Sequence, residues 1–140
     1  MMKRLFLILL LAVPAFAMAQ ENLMGKSRAE IKAHFKKEKI ALYKTDDSGP
    51  NPSDNYKNDD GPDITCFFDK AGLCGEELDI EHYSALAKLK PVLDNTWVKV
   101  DDKTWVNKEK TIRVLITAMQ ALDQLYVMYT KYGKNVADSF

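Results

Sequence analysis

The stretch Ile64–Tyr83, ITCFFDKAGLCGEELDIEHY, restricts the fold of this chain more than any other. Two runs of strand character flank Asp69-Lys70-Ala71-Gly72, and Gly72 is placed for the left-handed position of a three-residue bulged turn. The prediction is a β-hairpin. On its first strand Ile64, Cys66 and Phe68 share one face, and Thr65, Phe67 and Asp69 the other. The turn register sets Phe68 opposite Cys74 and Cys66 opposite Glu76. Cys74, Leu78 and Ile80 then continue the Cys66 face, while Glu77, Asp79 and Glu81 face water. An isolated hairpin is barely stable, so the flanking segments have to supply its packing.

Those segments include two helical stretches. Ser27-Arg28-Ala29-Glu30 reads as a capping box, with Ser27 accepting from the Glu30 N–H and the Glu30 side chain reaching back. Ile31 and Phe35 follow on one face with Lys32, Lys36 and Lys37 on the wet side, which predicts a helix over Ser27–Lys37. After the hairpin, Tyr83, Leu86, Leu89 and Leu93 recur at helical spacing, predicting a second helix over Ser84–Leu93. Pro91 lies inside it and should kink or break it near Lys90. Ile40–Tyr43 reads as a short strand. The segment from Asp46 to Pro62 is rich in Asp, Pro and Gly, with Tyr56 its one aromatic. So little apolar area cannot offset ordering entropy, and an extended mobile loop is expected there.

From Trp97 onward the chain is β-rich. Trp97–Val100 and Thr104–Asn107 predict a hairpin turning at Asp101-Asp102. Thr111–Met119 alternates, with Ile112, Val114, Ile116 and Ala118 on one face. Leu125–Tyr132 alternates too, with Leu125, Val127 and Tyr129 on one face and Tyr126, Met128 and Tyr132 on the other. The alternative, a helix through Leu115–Tyr129, fits MQALDQL, but β-branched and aromatic density favours strands. The element order is α-β-ββ-α-ββ-ββ, and no repeated motif relates the halves. The expected fold is α+β, a single two-layer domain with two helices packed on an antiparallel sheet.

The N-terminus carries an export signal. Lys3 and Arg4 precede the apolar run Leu5–Val13, and Ala17-Met18-Ala19 fits the A-x-A cleavage rule. Residues 1–19 are expected to be removed, with Gln20 leading a periplasmic or secreted chain. Gln20 in place of cysteine argues against a lipoprotein anchor, and no later run is long enough to span a membrane. About 120 residues remain, one core's worth. The chain has 20 basic and 20 acidic residues; losing Lys3 and Arg4 leaves a small acidic excess. Such an evenly mixed surface gives no footprint for nucleic acid. In an exported chain, Cys66 and Cys74 on one hairpin face form a candidate disulfide.

Sites for chemistry are weak. Cys66 and Cys74, spaced C-x7-C, match no zinc or redox motif, and His82 lies at the far end of the second strand from them. His34 and His82 sit in no metal-binding pattern; His34 is expected to decorate the first helix. Gly25-Lys26-Ser27 lacks the first glycine of a phosphate loop. Asn58-x-Asp60-Gly61 matches part of a calcium loop, yet Tyr56 and Phe67 occupy its first and twelfth positions. No catalytic residue, metal or cofactor is therefore expected.

Gly25-Lys26-Ser27-Arg28-Ala29-Glu30-Ile31 resembles the opening helix of small outer-membrane assembly lipoproteins and β-lactamase-inhibitor-like domains, over that capped helix and no further, so no residue role is carried across. Surplus apolar residues on the second sheet face point to a function. Leu115, Tyr126, Met128 and Tyr132, with Trp97 and Trp105 nearby, form the expected binding surface. The expectation is a non-enzymatic exported protein, a protein-interaction or inhibitor-type module whose partner is another envelope or extracellular protein. The alternative is a small-ligand-binding periplasmic protein using a pocket between the sheet and the 46–62 loop.

Overall fold

The computed structural model describes residues 23–133. The expected signal segment and the tail beyond Gly133 lie outside the described residues. Helix α1 (Arg28–Lys37) is followed by β1 (Ala41–Asp46), β2 (Ser53–Lys57), β3 (Asp63–Phe68) and β4 (Cys74–Glu81). A 3₁₀ turn at Tyr83–Ala85 leads into α2 (Leu86–Thr96), then β5 (Val98–Asp101), β6 (Thr104–Val106), β7 (Ile112–Met119) and β8 (Gln124–Lys131). The strands form one antiparallel sheet in the order β1-β2-β3-β4-β8-β7-β6-β5. The fold is thus α+β, with eight strands where the sequence predicts seven. Each helix is followed by four strands, and the halves meet where β4 pairs with β8. The repeat is one of element order, with no residue motif to announce it.

Helix α1 starts as its capping residues dictate. The Ser27 hydroxyl accepts from the Glu30 N–H at 3.2 Å, although the Glu30 carboxylate returns to that hydroxyl rather than to the Ser27 N–H. Its Ile31 and Phe35 are buried with Tyr56, Ile64, Cys66 and Phe68.

The extra strand is β2, which corrects the expectation of a mobile loop over 46–62. Alternation places Asp54 and Tyr56 inward, and both are buried. Tyr56 packs its ring 4.4 Å from that of Phe35. Arg28 grips Asp54 with two hydrogen bonds, Nε at 2.9 Å and Nη2 at 2.8 Å, and Thr45 donates to the same carboxylate at 3.0 Å. The Arg28 guanidinium also lies 5.1 Å above the Phe68 ring. One aromatic and one bidentate ion pair thus recruit a segment whose composition alone argues for disorder.

The β3–β4 hairpin turns where predicted, with Gly72 at φ +76° and Phe68 opposite Cys74. Its register then departs from expectation. A bulge between Phe67 and Phe68 sets Cys66 opposite Glu77 and Phe67 opposite Glu76. The extra residue, Gly75, reverses every later side chain on β4. Glu77 and Asp79 therefore point inward and are buried, while Leu78 and Ile80 move to the opposite face. This corrects the placing of Glu77, Asp79 and Glu81 in water.

In the second half β7 and β8 alternate as predicted, with Val114, Ile116, Leu125, Val127 and Tyr129 buried. Ala118, expected beside them, is exposed. Helix α2 does not break at Lys90 but runs through Pro91 to Thr96. Leu93 anchors it in the core, and the Trp97 N–H closes it on the Leu93 carbonyl at 2.8 Å. The indole of Trp105 donates to Asp94 on that helix at 2.9 Å. At the sheet edges β1 and β5 are exposed along their whole lengths, and each carries a bulge, at Tyr43 and at Val100.

Arg28→Ala would leave Asp54 buried and uncompensated, so a loss of about 2–3 kcal/mol is expected. Urea unfolding should show it as a lower midpoint. A change below about 0.5 kcal/mol would show that β2 is not held by this pair.

Candidate functional site

Cross-strand pairing orders the outer sheet face into rows. Leu78 on β4 stands opposite Met128 on β8, which stands opposite Leu115 on β7. One row along, Ile80, Tyr126 and Thr117 are matched; on the other side come Glu76, Thr130 and Arg113. Leu115 is 40% exposed, while Leu78, Ile80, Tyr126 and Met128 are half-buried against their neighbours. Tyr132 continues the same parity beyond the end of β8 and is exposed. The Tyr126 hydroxyl donates to the Gln124 side chain at 2.7 Å, leaving its ring on the surface.

The structure thus joins Leu115, Tyr126 and Met128 in one patch with Tyr132 at its margin. It separates them from both tryptophans. Trp105 is fully buried and Trp97 is 8% exposed, both in the cluster with Leu93 and Tyr129. Inward parity on β6 and a place at the end of α2 turn these large rings toward the core. Leu78 and Ile80 join the surface instead, reversed by the bulge. Gly75 inside a strand pattern was the signal for that reversal.

A second feature is an open cleft of about 860 Å³ at one end of the sheet. Asn58–Gly61 with Asp63 line one side, and Ile80–His82, Ser84, Ala85 and Lys88 with Leu122–Gln124 the other. His82 Nδ1 lies 3.0 Å from Asp123 Oδ2, and the other Asp123 oxygen accepts the Tyr83 N–H at 3.2 Å. Asp123 adopts a left-handed backbone, φ 51°, which aims its side chain at the start of the 3₁₀ turn. The His82 and Asp123 side chains are 84% and 68% exposed. Water therefore screens the pair, and little electrostatic leverage remains for proton transfer. His34 stands apart on α1, 3.4 Å from Glu38 one turn on. Among the described residues no group of three or more His, Cys, Asp or Glu is gathered to hold a metal ion.

The inward row of β4 is electrostatically the most unusual part of the molecule. Glu77 lies between Cys66 on β3 and Tyr129 on β8, and Asp79 lies between Ile64 and Val127. These carboxyls divide the apolar interior into two clusters that share Met24. Burial first, and then the negative charge of Asp79, push the Glu77 carboxyl well above the usual range. Burial also lifts Asp79 to about 7, against a hydrogen bond with Glu77 that works the other way. Two neighbouring carboxylates cannot both ionise cheaply in a dry setting, so a proton is retained between them. Cys66 and Cys74 are free buried thiols. Contact with Cys74, together with burial, pushes the Cys66 thiol upward, away from a reactive thiolate. At the hairpin turn, burial alone would raise Asp69. Lys131 at 2.6 Å and the turn amides outweigh it and hold the carboxylate low.

The acid pair sets a direction for pH dependence. The folded chain keeps protons that the unfolded chain releases near pH 4, so stability should fall as pH rises from about 4 to about 7. The fall should be of order 2–4 kcal/mol. Thermal melts across this window check it, and Glu77→Gln combined with Asp79→Asn should flatten the profile. Stability rising through the window would contradict the assignment. No protein-family model, curated protein or solved structure matches this chain.

Proposed function

We propose that this chain is a non-enzymatic exported protein, a protein-interaction or inhibitor-type module acting through the outer face of its sheet in the periplasm or outside the cell. The observation that carries the reading is the cross-strand row Leu78–Met128–Leu115, with Ile80 and Tyr126 beside it. The buried residues of both helices pack with the inward residues of the sheet. That supports a two-layer arrangement in which the outer face is left to solvent. A patch of aromatic, Leu and Met side chains rimmed by Thr, Glu and Arg has the make-up of a protein-binding surface. Tyr126→Ala with Met128→Ala should weaken association at least tenfold with the fold retained. Surface plasmon resonance against the partner, with circular dichroism alongside, is the measurement. Unfolding of the double variant would instead place these side chains in the core.

A second reading, a small-ligand binder, is favoured by the cleft beside Asn58–Asp63, where the 46–62 segment meets the sheet. Asp59→Ala with Asp60→Ala should then abolish ligand-induced thermal stabilisation while leaving the unliganded melting point unchanged. An intact response would rule that wall out. The touching thiols of Cys66 and Cys74 also make the hairpin the place where an oxidised, exported chain would close a disulfide.

A further inference from the structure

We propose that the outer sheet face docks a second copy of this chain, the two sheets packing face to face about a two-fold axis along β8. This inference rests on the outer-face reading above and names its partner. A two-fold axis along one strand lays each flanking strand over the opposite flanking strand of the other copy, in the same cross-strand row. With the axis along β8, β4 of one copy covers β7 of the other. Glu76 then meets Arg113 of the second copy, and symmetry forms that contact twice. Leu78 meets Leu115 twice, and Met128 and Tyr126 each meet their own counterparts.

Of axes laid along β4, β8 or β7, only the one on β8 gives this match, and it alone brings Glu76 to Arg113. With the axis on β4, Met128 would face Thr65, and Thr130 would face Phe67. With the axis on β7, Met128 would face Thr104. Neither choice pairs opposite charges or aligns the apolar row. Stacked sheets cross at about −30° with some 10 Å between them, so only the three central strands stay in register, and the matched residues lie on those three. Neither Glu76 nor Arg113 has an ion-pair partner among the described residues. Both charges are available to another chain. The bulged edge strands offer no flat ladder for side-by-side pairing, which leaves the face.

Sedimentation velocity on protein expressed from the full chain tests the assignment. The wild type should sediment as a dimer. Glu76→Arg and Arg113→Glu should each weaken dimerisation by about a hundredfold, because symmetry repeats each like-charge contact. Combining the two reversals should restore the dimer. Leu115→Lys, at an exposed position, provides an independent variant and should give monomer. Among the variants, two results would overturn the proposal: a dimer indifferent to these changes, or a doubly reversed protein with native circular dichroism that stays monomeric. A wild type monomeric up to its solubility limit would remove the second copy as partner. The Tyr126/Met128 variant tested on a different protein then judges the outer-face reading separately.

Discussion

The pairing of β4 with β8 is the interaction on which the rest of the molecule depends. Six residue pairs, Glu76–Thr130 to Glu81–Leu125, join two four-stranded halves that otherwise own separate apolar clusters. Each half alone would expose a long strand edge and half a core. Their union buries both edges at the centre and moves the free edges outward to β1 and β5. The order 1-2-3-4-8-7-6-5 follows directly, since each half is a meander and only the last strands meet. The contact is strongly non-local: every β4–β8 pair spans the whole of α2 and three intervening strands. Folding of this chain should therefore be paced by that closure rather than by the hairpins.

A single inserted residue decides the character of the seam. The bulge at Gly75, near the start of β4, turns Glu77 and Asp79 inward at the strand where the two clusters would otherwise fuse. A continuous apolar core would have given more stability, because taking a carboxyl out of water costs several kcal/mol. The retained proton reduces that cost by leaving one carboxyl neutral. What remains is a polar row along the middle of the sheet, flanked by Cys66 and Tyr129 rather than by cations. The same bulge sends Leu78 and Ile80 outward to complete the apolar row on the other side. The buried acids and the surface patch thus have one origin.

Much of the fold was legible because its devices are local. The capped helix, the Gly72 turn, the alternation of β7 and β8 and the α+β class all follow from residues within a few positions of one another. Three features were not legible, each for its own reason. β2 is made by Arg28 reaching Asp54 across twenty-six positions and by Tyr56 packing tilted against Phe35, contacts that composition cannot show. The facing of β4 turned on one bulge, and period-2 reasoning carries any slip to the strand end. Trp97 and Trp105 read as surface aromatics because local pattern locates the hairpin, turning at Asp102-Lys103 rather than Asp101-Asp102, but not which of its sides faces the core. Of the candidate surface, Leu115, Tyr126, Met128 and Tyr132 came from alternation, whereas Leu78, Ile80, Glu76 and Arg113 needed the register. The His82–Asp123 contact, forty-one positions apart, carried no sequence signal.

The bulges in β1 and β5 bear on what kind of assembly such a sheet can enter. An eight-stranded sheet with two straight edges is an open-ended template, and each added copy would present a fresh edge to the next. Here both ends are kinked within their first few residues, and each carries lysine, Lys44 on one and Lys99 on the other. Bulge and lysine together disfavour growth in the lateral direction. Contact through a face, by contrast, consumes the surface that makes it and stops at a finite number of copies. The sheet can be wide without being the start of a filament.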